Sequence, residues 1–255
     1  MSTHLLLGLA GLGIGTLASM LGIGGGTFMV PLLLLSGLAP TTQVAVGTSI
    51  AGVTFTSLSS SIAYLRRHEV RVRLGLVVMP GALAGAWLGA HLSQRISSPG
   101  LAVGFGLFLL YPAGVMLLGR QPKELFSAGG HRRAHLALGT LVGVMAGVVS
   151  GLLGLGGGTV MVPALMLTLG LDIRAAVATS LFIMVPSAAL ATSRHALAGN
   201  THWSLALPLI AGLLVGAQLG PRLGGKLPRR RLRQLFALVL LYAAANMILK
   251  GLGLR

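Results

Sequence analysis

The sequence predicts an all-α integral membrane protein built from two inverted copies of one unit, and three observations carry that prediction. Of 255 residues, 54% are hydrophobic and only 9% charged, against roughly a quarter charged in a soluble domain. Apolar runs approaching the ~20 residues of a membrane-crossing helix recur along most of the chain. A stretch of fifteen residues also returns almost intact 132 positions later. Soluble helical folds need a polar face on each surface helix, and most of these runs have none.

The repeat sets the domain organisation. Residues 21–35 read LGIGGGTFMVPLLLL and residues 153–167 read LGLGGGTVMVPALML, with eleven of fifteen positions identical. After a one-residue gap the match resumes, AVGTSI at 45–50 lying on AVATSL at 176–181. Gly81, Gly85 and Gly89 then fall on Gly212, Gly216 and Gly220. Low complexity scatters Gly and Leu matches, but it does not produce a shared GGGT-x-MVP run followed by a shared TS pair. The chain divides into a first transmembrane repeat (1–120), a basic connector (121–133) and a second transmembrane repeat (134–255).

Each unit opens with a helix, about 4–21 and 134–152, that runs into the glycine cluster. A short apolar piece follows at 27–38 and 159–170, with Pro31 and Pro163 inside it. Twelve residues at ~1.5 Å each cover only ~18 Å of a ~30 Å hydrocarbon core, so these pieces are half-helices or shortened spans. Three fuller helices complete each unit: about 42–65, 72–94 and 100–119, then 174–193, 203–221 and 234–250. The expected total is eight full-length spans plus the shortened half-helices, about ten hydrophobic segments. The Gly85/Gly89 and Gly216/Gly220 pairs are small-xxx-small faces that let neighbouring helices approach closely.

Lys and Arg set the orientation. A cytoplasmic loop at 66–73 (Arg66, Arg67, Arg71, Arg73) places the connector with Arg120, Lys123, Arg132 and Arg133 on the same side. If each first helix and its short partner form a hairpin with no net crossing, the 222–233 cluster, including Arg229 to Arg231, also falls inside. Fifteen basic residues are then inside and four (Arg95, Arg194, Lys250, Arg255) outside, as the positive-inside rule requires. Each unit makes an odd number of net crossings, so the copies are inverted, as in many secondary transporters. Both termini are expected outside. The start, Met1 to Leu9, lacks a basic leader region and a cleavage site, so the first apolar run is expected to be retained.

Composition also excludes chemistry. With no cysteine, disulfides, thiolate metal sites and thiol nucleophiles are out. The formal charge of +16 sits in short clusters between apolar runs, which bilayer orientation explains, and the hydropathy excludes a soluble nucleic-acid binder. The only acids, Glu69, Glu124 and Asp172, all lie between apolar runs. A membrane enzyme would need a nucleophile–base pair or a metal cluster, and neither is present, so no enzymatic activity, metal or cofactor is expected. Gly13 to Ala18 fits G-x-G-x-x-A, but no strand precedes it and no acid follows before Glu69.

The residues left to handle a substrate are the duplicated ones. Gly24, Gly25, Gly26 and Thr27, and likewise Gly156, Gly157, Gly158 and Thr159, each end one helix and open another. Non-helical backbone at membrane depth is tolerated only where it is buried in protein or lines a cavity. Successive glycines with positive φ turn several N–H groups into one concavity that suits an anion. The helix that follows adds roughly half a positive charge at its N-terminus, and the threonine hydroxyl caps it or donates. Inversion brings the two clusters towards one axis and one midplane site. A tight turn or a close helix crossing also needs such glycines, and both readings stay open. Thr48 with Ser49, and Thr179 with Ser180, are a second pair of candidates. Their hydroxyls bond either an oxyanion or the helix backbone. The run Ser57 to Ser61 has no counterpart in the second half and reads as packing.

The doubled G-x-GGGT-x-x-VP-x-L pattern with its following A-x-x-TS pair resembles the sulfite exporter TauE/SafE family of membrane transporters, over nearly the whole chain. The resemblance implies movement of small sulfur-containing anions, such as sulfite, sulfoacetate and related sulfonates, across a bacterial inner membrane. It maps onto Gly24 to Thr27 with Pro31, Gly156 to Thr159 with Pro163, and the two TS pairs. The expected partners are a small anionic substrate and the lipid bilayer, with no nucleic acid. An anion channel, or a carrier for a different small anion or sulfur compound, fits the same physics.

The driving force is the last inference. Proton-coupled carriers usually keep an intramembrane carboxylate or histidine. Of the seven histidines, His4, His68, His131, His135 and His202 sit near span ends or in loops, and His91 and His195 lie within the outer turn or so of their helices. His91 is the better candidate for a proton-responsive group and still reads as interfacial. Uniport or anion exchange is the simplest expectation, with an inside-negative potential pushing an anion outward by ~2.3 kcal/mol per charge per 100 mV.

Overall fold

The computed structural model describes residues 3–118, 132–223 and 229–254, which form ten α-helices; among the described residues there is no strand. In chain order they are α1 (Thr3–Leu21), α2 (Gly26–Leu35), α3 (Thr42–Leu65), α4 (Val72–Ser93) and α5 (Ser98–Leu118). The second set is α6 (Arg132–Leu153), α7 (Gly158–Leu169), α8 (Ile173–Leu197), α9 (Trp203–Leu223) and α10 (Arg229–Gly251). Most of the connector expected at 121–133, with Arg120, Lys123 and Glu124, lies outside the described residues, as does Lys226.

Local chemistry sets the helix ends. Both short helices start on a left-handed glycine, Gly25 (φ 91°) before α2 and Gly157 (φ 76°) before α7. A side chain there would be strained, which is why the breaks are written in glycine. The long helices after them start on side-chain caps. Thr41 accepts from the Val44 N–H at 3.3 Å, and Asp172 accepts from the N–H groups of Arg174 and Ala175 at 3.2 and 3.4 Å. Asp172 is thereby engaged in ending a loop, in line with its place between apolar runs. Two helices outrun their expected bounds: α8 continues through Arg194 and His195 to Leu197, and α10 begins at Arg229 rather than near 234. In each case charged residues end the apolar run without ending the helix.

Helices pack in pairs with a reciprocal pattern. α1 lies along α9, and α4 along α6, both running parallel. Gly212, Gly216 and Gly220 of α9 face the backbone of Gly8, Leu12 and Thr16, so successive turns of the two helices match. Gly81, Gly85 and Gly89 of α4 face the carbonyls of Thr140, Val144 and Val148 in the same way. The small-residue columns therefore serve close backbone approach, which a single Cβ would block. α5 and α10 instead run antiparallel, with Gly106 beside Ala244 and Ile248, and Gly251 beside Pro99 and Val103. α3 and α8 are antiparallel too: the Thr54 and Thr192 hydroxyls meet at 2.9 Å, while Gly47 abuts Asn200 beyond the end of α8.

Five helices, α1, α4, α5, α8 and α9, are long and apolar enough to cross a membrane among the described residues. α3 is long enough at 24 residues, but its Thr and Ser content keeps it off that count. Packing supplies the reason. α3 is wedged between α8, α9 and α2, and most of its residues are buried, so it presents little surface to lipid and tolerates hydroxyls. The run Ser57 to Ser61 serves this contact: Ser59 Oγ donates to the Leu214 carbonyl at 3.1 Å, and Gln218 Nε2 donates back to Ser59.

Candidate functional site

The two breaks are built against each other. Gly26, the first residue of α2, packs on the carbonyl of Gly154 and the Cα of Leu155 so tightly that a Cβ has no room. Gly158, the first residue of α7, packs identically on Gly22 and Ile23. Gly24 (φ 73°) and Gly156 (φ 81°) both face the same two side chains, Val53 of α3 and Met184 of α8. The loops at 22–26 and 154–158 thus meet around a small hydrocarbon plug.

The chemistry of this place follows from the motif in order. At N1 and N2 of each short helix, backbone N–H groups lack an intrahelical acceptor. Pro31, four residues after Thr27, has no N–H to give the Thr27 carbonyl its helical bond, and Pro163 does the same to Thr159. The threonine side chains are buried, Thr27 at 0% and Thr159 at 6% exposure. Neither Oγ1 has a hydrogen-bond partner. Buried polar groups are nearly always satisfied, and an unsatisfied one carries a penalty of about 1–3 kcal/mol. Two such hydroxyls at equivalent positions of a repeated motif are therefore poorly explained by packing alone. None of the ten helices contains an Asp or Glu; Glu69 and Asp172 lie in the loops before α4 and α8.

The TS pairs sit elsewhere in this arrangement. Ser49 Oγ donates to the Gly154 carbonyl at 3.1 Å, and Ser180 Oγ shares its proton between the Gly22 carbonyl at 3.1 Å and the Val177 carbonyl of its own helix at 2.9 Å. Each serine ties its helix to the glycine loop of the other motif copy, and a hydroxyl has one proton to donate. Thr48 Oγ1 accepts from the His202 N–H at 3.1 Å, and Thr179 Oγ1 from the Arg71 N–H at 3.0 Å. Those bonds hold the chain leading into α9 and α4. The structure thus brings the glycines and Thr27 and Thr159 together with Ser49 and Ser180, and places Thr48 and Thr179 at the approaches to neighbouring helices.

Three further features surround the site, and of their residues sequence reading singled out His195 alone. Val53 and Met184 occupy equal positions in the two halves, four residues after Ser49 and Ser180 and so on the same helix face; that spacing was a usable signal. Ser150 is buried, its Oγ is unpartnered, and its Cβ lies beside Gly157, where the first half has Ala18 beside Gly25. Just before each break, Tyr64 Oη donates to the Ser19 carbonyl at 2.9 Å, and His195 Nε2 lies 3.0 Å from the Gly151 carbonyl. His195 is fully buried, whereas His91 is half-buried, stacked on Trp87 and 3.3 Å from Arg194 Nη2. His195 thus lies inside the helix packing and His91 at its edge.

Comparison with known proteins agrees with the motif. The profile of the sulfite exporter TauE/SafE family matches residues 7–247. A probable membrane transporter protein, YunE of Bacillus subtilis (strain 168), is 31% identical over 270 residues, covering 98% of this chain and 99% of its own. YdhB of the same strain, also a probable membrane transporter protein, is 28% identical, with 92% and 96% covered. A probable membrane transporter protein of Methanocaldococcus jannaschii is 26% identical, with 92% and 91% covered. The duplicated GGGT breaks and a full-length match lead to one assignment: the chain belongs to the sulfite exporter TauE/SafE family and is a membrane transporter.

Proposed function

We propose that this transporter carries a small anion, sulfite or a related organosulfonate, across the bacterial inner membrane through a midplane site formed by the two GGGT breaks. The observation that carries the reading is the pair of buried, unpartnered hydroxyls of Thr27 and Thr159, each in the first turn of a short helix. Two helix N-termini contribute roughly half a positive charge each, and free N–H groups and hydroxyls supply directed donors for sulfonyl or sulfite oxygens. No lysine or arginine is needed, so the site avoids the desolvation penalty of a fixed cation in the membrane. Gly24 to Gly26 and Gly156 to Gly158 supply the backbone surface, Ser49 and Ser180 hold the loops together, and Thr48 and Thr179 keep an O–H free to donate.

The reciprocal packing supports two inverted repeats, 1–120 and 134–255. The helices holding equal places in the two copies, α3 with α8 and α5 with α10, run antiparallel. An axis in the membrane plane relates such copies and gives two facing orientations of one site. Val53 and Met184 fill the space between the breaks, so an anion enters only after a rearrangement, which suits a carrier.

Liposomes holding the purified full chain test the reading by uptake of sulfite against sulfate and chloride. Selective sulfite flux lost in folded Gly25→Leu and Gly157→Leu variants is the expected result. Unchanged flux in both variants would remove the site from the breaks; flux of a sulfonate but not sulfite would reassign the substrate within the class.

A further inference from the structure

We propose that the groove between the end of α2 and the last turns of α10 is a binding site for one bilayer phospholipid, held by Lys250 on its phosphodiester and by Asn246 on its headgroup. The groove is a cavity of about 260 Å³ lined by Leu35, Tyr242, Asn246 and Lys250. Two of its groups are short of partners. Asn246 is 4% exposed, its Nδ2 donates to the Tyr242 carbonyl at 2.8 Å, and its Oδ1 has no donor. Lys250 spends one N–H on the Leu34 carbonyl at 2.9 Å, capping α2, and none of the three carboxylate side chains lies in α2 or α10 to neutralise it.

The rest of the lining identifies the ligand. Tyr242 is 64% exposed and Leu35 38%, so the groove opens sideways along apolar wall. A cation at a helix end above apolar wall is the usual setting for a lipid headgroup. The apolar wall decides between ligands. A small oxyanion such as sulfite or phosphate could sit against Lys250 and Asn246 but leaves Leu35 and the Tyr242 ring uncovered. A phospholipid brings a phosphate for Lys250, a hydroxyl or ammonium for Asn246, and acyl chains for Leu35 and the Tyr242 ring.

The other half of the chain is a built-in control. At the positions equivalent to Tyr242, Asn246 and Lys250, the first repeat has Tyr111, Val115 and Gly119. At these aligned positions the aromatic residue is kept and the acceptor and the cation are not, although Arg120 follows one residue later.

The test is native mass spectrometry of the full chain released from detergent, with thermal melting on adding phosphatidylethanolamine or phosphatidylglycerol, and with sulfite or inorganic phosphate as free anions. Wild type is expected to retain one phospholipid per chain and to melt higher with lipid, as ligand linkage requires. The double replacement N246V/K250G, which installs the first repeat's residues, is expected to lose both effects. If that variant does not fold, K250Q carries the test, since it keeps a donor for Leu34 and removes the charge. Equal lipid retention by wild type and variant overturns the proposal, as does a melting shift given as fully by sulfite or phosphate as by lipid. Neither outcome bears on sulfite flux through the helix breaks.

Discussion

At the scale of single residues, the site separates groups that hold the protein together from groups left over. Gly24 belongs to the first kind. An added Cβ meets Met184 Cε and Val53 Cγ1, and the φ of 73° is one that L side chains avoid. Gly24→Ala should therefore lower stability by about 1–3 kcal/mol from overpacking and strain. Met184→Ala removes one of the two obstacles but itself costs about 2–5 kcal/mol as a core truncation. The clash should therefore show in a double-mutant cycle, read by thermal melting, as a double-variant loss smaller than the sum of the two single losses. Ser49→Ala should cost about 1 kcal/mol, the net value of one hydrogen bond, and Ser180→Ala less, because Ser180 shares its proton with the Val177 carbonyl of its own helix. The glycines and TS pairs were legible in the sequence because duplication marks what is kept. Their division of labour was not, since a serine that ties a loop and a threonine whose hydroxyl has no partner are written alike. Val53 and Met184 were hidden for another reason: an apolar residue in an apolar helix carries no signal beyond its register.

At the scale of elements, most helices were legible because hydropathy and punctuation agree. α3 was expected at 42–65 and forms Thr42–Leu65, bounded by the Thr41 cap and by the charged loop after Leu65. The ends of α8 and α10 were misplaced, since a helix can project charged turns beyond its apolar run. The glycine columns announced close neighbours but not their identity, because a small face fits any helix that offers backbone. Pairing α1 with α9 and α4 with α6 needed the three-dimensional fold. Gly85→Leu or Gly216→Leu should drive those pairs apart. We expect loss of a monodisperse peak in size-exclusion chromatography, whereas Gly104→Leu, which meets nothing within 4 Å, should be tolerated.

At the scale of the whole molecule, the account rests on antiparallel packing of equivalent helices. The chain has no cysteine, so introduced pairs report without background. The Thr54 and Thr192 side-chain oxygens are 2.9 Å apart, close enough for Thr54→Cys and Thr192→Cys to join under mild oxidant once the sulfurs settle to ~2.05 Å. Cross-linking is expected, and its failure in a folded variant would contradict the α3–α8 alignment. Sidedness is a separate matter. A membrane-impermeant maleimide should label Arg95→Cys in intact cells and Arg73→Cys only after permeabilisation. The opposite pattern would reverse the orientation read from the positive-inside rule.

The most direct test of the central claim, that the paired breaks bind the transported anion, is sulfite flux and melting temperature measured together on Thr27→Val and Thr159→Val. Valine keeps the shape and deletes a buried hydroxyl that has no partner. If that hydroxyl is kept for substrate, flux falls sharply while the melting temperature holds or rises. Undiminished sulfite flux in the double variant would contradict the account, because it would show the two hydroxyls to be idle.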